Sequence, residues 1–197
     1  MKKLLMLGAG LLAVLAFYGQ GNVANAIEMG IVGDPAPETT LAIGDFAPNF
    51  GFNDASGKHV LFHDVRGDVT ILAIVGPEKP GACGIAGSLL DLANRYSNQD
   101  VDVRVMSISK PQGGMCTLHS NVVQQCGLRS DRIIGLCEDS GQISRLYKTD
   151  DVNVYFIVDQ DGKITGKGSL SDLGGLRKCL AKTASRAGYY YRLWNDD

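Results

Sequence analysis

The sequence has few aromatic residues, no cluster of basic residues and no long apolar run beyond its first residues. Aromatic residues make up 7% of the 197 residues, and the net charge at pH 7 is -2. A mildly acidic chain without concentrated lysine and arginine gives no support for binding to nucleic acid or to a membrane surface. We therefore expect neither kind of partner.

Repeated C-x-x-C pairs, the spacing typical of structural zinc sites, are also missing. Cys116 and His119 could share one face of a helix as a metal pair, but no further ligand is evident near them. We expect no metal site and no bound cofactor. An odd number of cysteines leaves at least one thiol unpaired within a monomer. The chain has five: Cys83, Cys116, Cys126, Cys137 and Cys179.

The first residues have the layout of a secretory signal peptide. Lys2 and Lys3 precede an apolar run of about 14 residues, and a small-x-small motif ends at Ala26. The run is shorter than the roughly 20 residues that a membrane-spanning helix needs. We predict a signal peptide over residues 1–26 and an exported protein, periplasmic or secreted, without stable membrane insertion after cleavage. An uncleaved membrane anchor is the alternative.

Beyond residue 42, strands alternate with helices. "VTILAIV", residues 69–75, is a continuous apolar run typical of a strand covered on both faces. A second strand is expected over residues 101–109, and "VNVYFIVDQDGKITGKG" indicates a hairpin with a turn at "DQDG". Such an order favours a mostly parallel sheet with helices on both faces, to which the hairpin adds antiparallel strands. We predict an α/β fold, a three-layer α/β/α sandwich with a central mixed sheet.

The composition divides the remaining chain into three parts. Residues 27–42 contain proline and glycine with little periodicity, and we interpret them as a leader loop. Residues 43–184 form the predicted domain, and residues 185–197 form an aromatic C-terminal tail.

Three stretches occur in an order that carries a family resemblance: "GDFAPNF" with "DASGKHVLFHDVRG" behind it, then "VTILAIVGPEKPGAC", then "VYFIVDQDGKI". Together they resemble the thioredoxin-fold redoxins, specifically the peroxiredoxin branch of the alkyl hydroperoxide reductase and thiol-specific antioxidant type. The resemblance covers about residues 43–183 and implies a thioredoxin-like fold.

The active-site motif departs from the peroxiredoxin pattern P-x-x-x-T/S-x-x-C. Cys83 matches the cysteine position, but Pro80 stands at the threonine position and Gly76 at the proline position. The family's arginine, expected three residues before Phe156, falls on Asn153. The threonine or serine hydroxyl that forms a hydrogen bond to the peroxide in the family is therefore absent, and the motif is atypical.

Cys83 is the predicted thiol nucleophile. It lies ahead of an amphipathic helix marked by apolar residues at helical spacing from Leu89 to Tyr96. A helix N-terminus lowers the pKa of a thiol and so favours the reactive thiolate. The resemblance implies a thiol-dependent peroxidase that acts on a small hydroperoxide and is reduced by an external dithiol such as a thioredoxin-like protein. A homodimer is left open.

The peroxidase cycle needs a second thiol to resolve the sulfenic acid formed on Cys83. Cys126 is favoured, because "QQCGLRSDRIIGLCED" resembles the resolving-cysteine segment of the atypical two-cysteine thiol peroxidases. Cys116 is the runner-up. A structural disulfide between Cys116 and Cys126 is the alternative, and we expect Cys137 and Cys179 to be inert core thiols.

Two further functions stay open. The first is a thiol–disulfide or copper-related envelope redoxin that lacks peroxide chemistry. A C-x-x-C pair would need a second cysteine where Pro80 or Ala86 stands, and the C-x-x-x-C spacing of the Sco type would need one at Gly87. The second is a non-catalytic redoxin-fold binding module with the aromatic tail as its contact surface.

Overall fold

The computed structural model describes residues 41–53, 58–78, 80–97, 100–111, 116, 121–138 and 141–195, with residues 190–195 described by their backbone only. The predicted signal peptide and most of the leader loop lie outside this part of the chain. The elements in chain order are β1 (Gly51–Asn53), β2 (His59–Leu61), α1 (Phe62–Val65), β3 (Val69–Val75), α2 (Ala82–Tyr96), β4 (Val103–Ser109), α3 (Val122–Gln125), β5 (Ile133–Cys137), α4 (Gln142–Leu146), β6 (Val154–Asp159), β7 (Ile164–Ser169) and α5 (Leu173–Asn195).

The main sheet has five strands in the order β5-β4-β3-β6-β7. Strands β3, β4 and β5 are parallel, while β6 runs antiparallel to both β3 and β7. Strands β1 and β2 form a separate antiparallel hairpin. The sheet is therefore mixed, with the predicted hairpin as its antiparallel part.

Two hydrophobic cores lie on opposite faces of this sheet. In β3, Ile71 and Ala73 belong to one core and Leu72 and Ile74 to the other, because successive side chains of a strand point to opposite faces. The first core includes buried residues of α2 and α5, and the second includes buried residues of α1 and α4. The three-layer α/β/α sandwich with a central mixed sheet is confirmed.

The parallel strands end level with one another. Val75 of β3 is opposite Ser109 of β4, and Ser109 is opposite Cys137 of β5. We call this end of the sheet the carboxyl edge. Strand β6 begins here, with Val154 opposite Ile74. The chain segments that follow β3, β4 and β5 all leave the sheet at this edge, so they can meet above it.

Helix boundaries differ from those expected at two places. Helix α2 begins at Ala82, so the helix expected around Leu89 to Tyr96 starts earlier and includes Cys83. Helix α5 runs to Asn195 and crosses the predicted boundary between residues 184 and 185. The separate tail, like the other domain limits, stays a prediction. Within the described ranges, no helix is long and apolar enough to span a membrane.

Candidate redox site at the carboxyl edge

Cys83 lies in the first turn of α2 and is exposed to solvent. Gly81 begins the helix with a φ of 84°, a left-handed conformation that glycine adopts without the steric cost of a side chain. The first helical hydrogen bond runs from the N–H of Ile85 to the carbonyl of Gly81. The N–H groups of the residues before Ile85 precede this ladder and give the helix N-terminus its partial positive charge.

Cys83 is joined by a disulfide to Cys126, which is half-buried. The two Cα atoms are 5.4 Å apart, and the residues are separated by 43 positions in sequence. The bond therefore connects α2 to the segment just after α3, across the carboxyl edge. The two cysteines singled out from the sequence are brought together by the fold.

Cys126 is held in place by the anchoring of α3. The Asn121 side-chain oxygen accepts hydrogen bonds from the N–H groups of Val123 and Gln124, which caps the helix. Its amide group donates to the carbonyl of Gly135 in β5, at 2.8 Å. The N–H of Val122 donates to the Ser109 hydroxyl at the end of β4. Helix α3 is thus fixed to the two strands beneath it.

A second disulfide joins Cys116 to Cys137, with their Cα atoms 5.9 Å apart. One alternative and one expectation from the sequence were wrong. The alternative Cys116–Cys126 bond does not form, because Cys126 is bonded to Cys83. Cys137 is not an inert core thiol, because the last position of β5 places it at the carboxyl edge within reach of the segment that follows β4.

Cys179 carries a free thiol and is partly buried against the first core. It lies in α5 beside Gly166 of β7, the edge strand opposite to β5. Burial, together with Cys179 and Asp172, raises the pKa of the neighbouring Tyr155. The thiol is therefore part of the packing between α5 and the sheet, as the sequence predicted.

The positions that depart from the peroxiredoxin motif also lie at this edge. Pro80 is exposed in the segment between β3 and α2. Asn153 precedes β6 with a φ of 64°, and its N–H donates to the carbonyl of Ile74 at 2.7 Å. Its side-chain oxygen is buried and has no hydrogen-bond partner among the residues the structure describes. Neither position offers the hydroxyl or guanidinium group of a peroxiredoxin.

Sequence reasoning missed three residues that shape the site. Asn121 and Ser109 hold α3, and Asn121 could have been found as a residue type typical of helix N-caps ahead of "VVQQ". Glu138, which follows Cys137, is 1% exposed, and its carboxylate accepts hydrogen bonds from the N–H and the hydroxyl of Ser144. No sequence signal identifies Glu138, since only the fold brings its partner Ser144 of α4 to its carboxylate.

The histidines do not assemble a metal site in the described ranges. His59 of β2 and His63 of α1 are exposed. The sulfur of Cys116 is engaged in its disulfide, and His119 lies outside the described residues. No group of three or more histidine, cysteine, aspartate or glutamate side chains suited to a metal ion occurs in the part of the chain covered by the structure.

The chain has a thioredoxin-like fold. Its overall fold is similar to those of solved thiol:disulfide interchange proteins and of a thioredoxin domain. No protein-family model matches the chain, and no curated protein matches it. The comparisons therefore establish the fold of this chain and no narrower family.

Three solved structures illustrate this likeness. A protein assigned as the thiol:disulfide interchange protein DsbE from Chlorobium tepidum is 18% identical, with a TM-score of 0.61 over 74% of this chain and 99% of that one. The thioredoxin domain of a thiol-disulfide oxidoreductase from Bacteroides vulgatus is 17% identical, with a TM-score of 0.56 over 73% and 98%. A thiol:disulfide interchange protein from a Bacteroides species is 17% identical, with a TM-score of 0.57 over 75% and 93%. All three are described by thiol–disulfide chemistry, not as peroxidases.

Proposed function

We propose that this chain is a thiol–disulfide exchange protein in which Cys83 and Cys126 cycle between a dithiol and a disulfide. The observation that carries the proposal is the disulfide between an exposed cysteine in the first turn of a long helix and a half-buried cysteine on a separate element. The names of the similar structures support the same chemistry.

The cycle begins with Cys83, because this residue is the more exposed of the two cysteines. The helix N-terminus favours its thiolate, which attacks one sulfur of a substrate disulfide. A mixed disulfide forms and the other substrate sulfur leaves as a thiolate. The Cys126 thiolate then attacks the Cys83 sulfur, which forms the Cys83–Cys126 bond and releases the second substrate thiolate.

Each turn of this cycle transfers two electrons to the substrate and leaves the protein oxidised. An external dithiol, such as a thioredoxin-like protein, restores the Cys83 and Cys126 thiols by the same two exchange steps. The steps in reverse oxidise a substrate dithiol. No bound cofactor takes part in this scheme.

The spacing of the pair distinguishes this cycle from that of a C-x-x-C protein. In a C-x-x-C pair both sulfurs belong to one turn, whereas here 43 positions separate them and the bond links α2 to the segment after α3. Opening the bond therefore removes a covalent tie between two elements of the fold.

The test is reduction of a small disulfide by the full chain with a dithiol donor. We expect Cys83→Ser to abolish turnover and Cys126→Ser to accumulate the mixed disulfide on Cys83. Cys179→Ser is the matched control, because Cys179 is in neither disulfide and packs beside Gly166 of β7, the edge strand opposite to β5, and it should retain the wild-type rate. Unchanged turnover in Cys83→Ser would refute the proposal.

A peroxidase is the second candidate, favoured by the pairing of Cys83 with Cys126, the predicted resolving cysteine. The Cys83 thiolate would attack the O–O bond of a hydroperoxide, forming a sulfenic acid and releasing the alcohol or water. The Cys126 thiol would then displace water and close the disulfide. Pro80 and Asn153 weigh against this reading, because they remove the hydroxyl and guanidinium groups. Peroxide consumption that depends on Cys83 would establish it.

Export remains part of the proposal. Two disulfides are typical of proteins that work in an oxidising compartment such as the periplasm or the cell exterior. The signal peptide, the homodimer and the non-catalytic binding module stay predictions. The copper-related reading gains no support from side-chain geometry in the residues described.

A further inference from the structure

We propose that Asn121 is the positioning residue for Cys126, and that its side chain sets the equilibrium of the Cys83–Cys126 disulfide. This inference rests on the proposed function, in which the same two sulfurs must separate and meet again in every cycle. The inference gives Asn121 a role that acts through α3: its side chain fixes this helix, and Cys126 follows directly at the helix end.

Asn121 connects α3 to β5 through both ends of its amide. The oxygen accepts from the N–H groups of Val123 and Gln124 at 3.1 and 3.4 Å, and the nitrogen donates to the carbonyl of Gly135 at 2.8 Å. The residue is only 8% exposed. A buried amide with all of these bonds has one orientation, so α3 has one position on the strand.

Gly135 is the complementary part of this contact. A Cβ atom on Gly135 would lie 2.6 Å from the Cβ of Val123, and it would also meet the Asn121 side-chain oxygen, so a larger residue would push α3 away from β5. The absence of a side chain at Gly135 lets the amide reach the strand backbone.

Helix α3 is too short to hold Cys126 by itself. It has four residues, and isolated helices below about 12 residues are marginal in water. Cys126 follows directly as the C-cap, with its N–H bonded to the carbonyl of Val122. The position of its sulfur in the reduced protein therefore depends on how α3 is held, which is by the burial of Val122 and Val123 and by the polar anchors Asn121 and the Ser109 hydroxyl at the start of the helix.

The equilibrium between the disulfide and the dithiol depends on the effective concentration of the Cys126 sulfur near the Cys83 sulfur. Holding two reacting groups in place removes the entropy cost of bringing them together. When the disulfide is open, an anchored α3 keeps Cys126 close to Cys83 and favours closure. A loosened α3 lets the sulfur move away and shifts the equilibrium towards the dithiol.

The experiment measures the equilibrium of the Cys83–Cys126 pair in the full chain against glutathione, by differential alkylation and peptide mass spectrometry. We expect Asn121→Ala to lower the equilibrium constant for closing the disulfide about tenfold, which is a shift of about 30 mV towards a more oxidising potential. Asn121→Asp keeps the acceptor that caps α3 but removes the donor to Gly135, and it should shift the equilibrium in the same direction.

Asp172→Ala is the matched control. The Asp172 carboxylate accepts a hydrogen bond from the N–H of Gly175 at the start of α5, so this change removes a cap from a helix that carries neither sulfur of the pair. It should leave the equilibrium within twofold of wild type. Asn121 variants that fold and also stay within twofold would overturn the inference.

The outcome separates this inference from the proposed function. If the Cys83–Cys126 bond closes reversibly in wild type but Asn121→Ala has no effect, only the role of Asn121 fails. If wild type does not close this bond at all, the proposed function fails first. Should Asn121→Ala prove unstable, Asn121→Asp supplies the same comparison with the cap retained.

Discussion

At the scale of single residues, the two sulfurs of the candidate site are unequal. Cys83 is exposed in the first turn of α2, and the half-buried Cys126 packs against the first core. The glycines at positions 81 and 84 leave space beside Cys83, since a Cβ on either would meet no atom of the described residues within 4 Å. An incoming thiol or disulfide therefore reaches Cys83 first.

This asymmetry predicts different rates of alkylation. In the fully reduced protein, iodoacetamide should modify Cys83 at least about tenfold faster than Cys126, because the thiolate is the reactive form and Cys83 has both the helix N-terminus and the exposure. Quenched reactions followed by peptide mass spectrometry measure both rates in one sample. Faster labelling of Cys126 would reverse the two roles.

Tyr147 shows how burial affects titration away from the site. Burial raises the pKa of Tyr147, while the nearby Arg66 opposes this in part, and the phenol donates to the carbonyl of Pro48 at 3.1 Å. An unfolded tyrosine ionises near pH 10. Because the folded pKa is raised, the stabilisation is fully present below about pH 10 and is lost as the pH rises above it.

Tyr147→Phe tests this effect. The change should cost about 1 kcal/mol at neutral pH through the lost hydrogen bond. It should also reduce the fall in stability between pH 10 and 11, because the ionisable group is gone. Urea unfolding at each pH measures the free energy; an equally steep fall in both proteins would show that other groups, such as Tyr155, dominate.

At the scale of elements, the segment between β4 and α3 is tied to the sheet by the Cys116–Cys137 disulfide. The bond closes a loop of 21 positions. A cross-link of this size lowers the entropy of the unfolded chain and so stabilises the folded protein by about 3 kcal/mol. Its partner Cys137 is beside Glu138, whose buried carboxylate fixes the start of α4. The disulfide therefore ties the segment before α3 to β5, one of the two strands on which α3 is anchored.

The double variant Cys116→Ser, Cys137→Ser should lose about 3 kcal/mol of unfolding free energy while still closing the Cys83–Cys126 bond. Chemical denaturation gives the first quantity and disulfide mapping gives the second. If the variant loses turnover while remaining folded, the second disulfide is itself part of the redox cycle and not a structural tie.

The elements also show what the sequence could reveal. "VTILAIV" predicted β3 correctly, because a strand covered on both faces is apolar or β-branched at every position. The start of α2 was missed because residues 81–87 are small and glycine-rich, so they lack the apolar spacing by which a helix is identified. The Cys116–Cys137 bond was missed because its partners meet only through the parallel register of β4 and β5.

At the scale of the whole molecule, the fold brings segments from three parallel strands to one edge of the sheet. Cys83 follows β3, Cys116 and Cys126 follow β4, and Cys137 ends β5. The order of strands and helices predicted the sandwich, and a resemblance in short motifs located Cys83. The pairing of the cysteines was harder to predict from the sequence, because it depends on which sulfurs the fold brings together at the carboxyl edge.

The most direct test of the account is disulfide mapping of the full chain through one cycle of reduction and reoxidation. The oxidised protein should contain Cys83 bonded to Cys126 and Cys116 bonded to Cys137. Mild treatment with a dithiol should open the first bond and leave the second intact, and removal of the dithiol with an oxidised substrate present should close the first bond again. A free Cys83 in the oxidised protein, or a Cys83–Cys126 bond that does not reopen, would contradict the account.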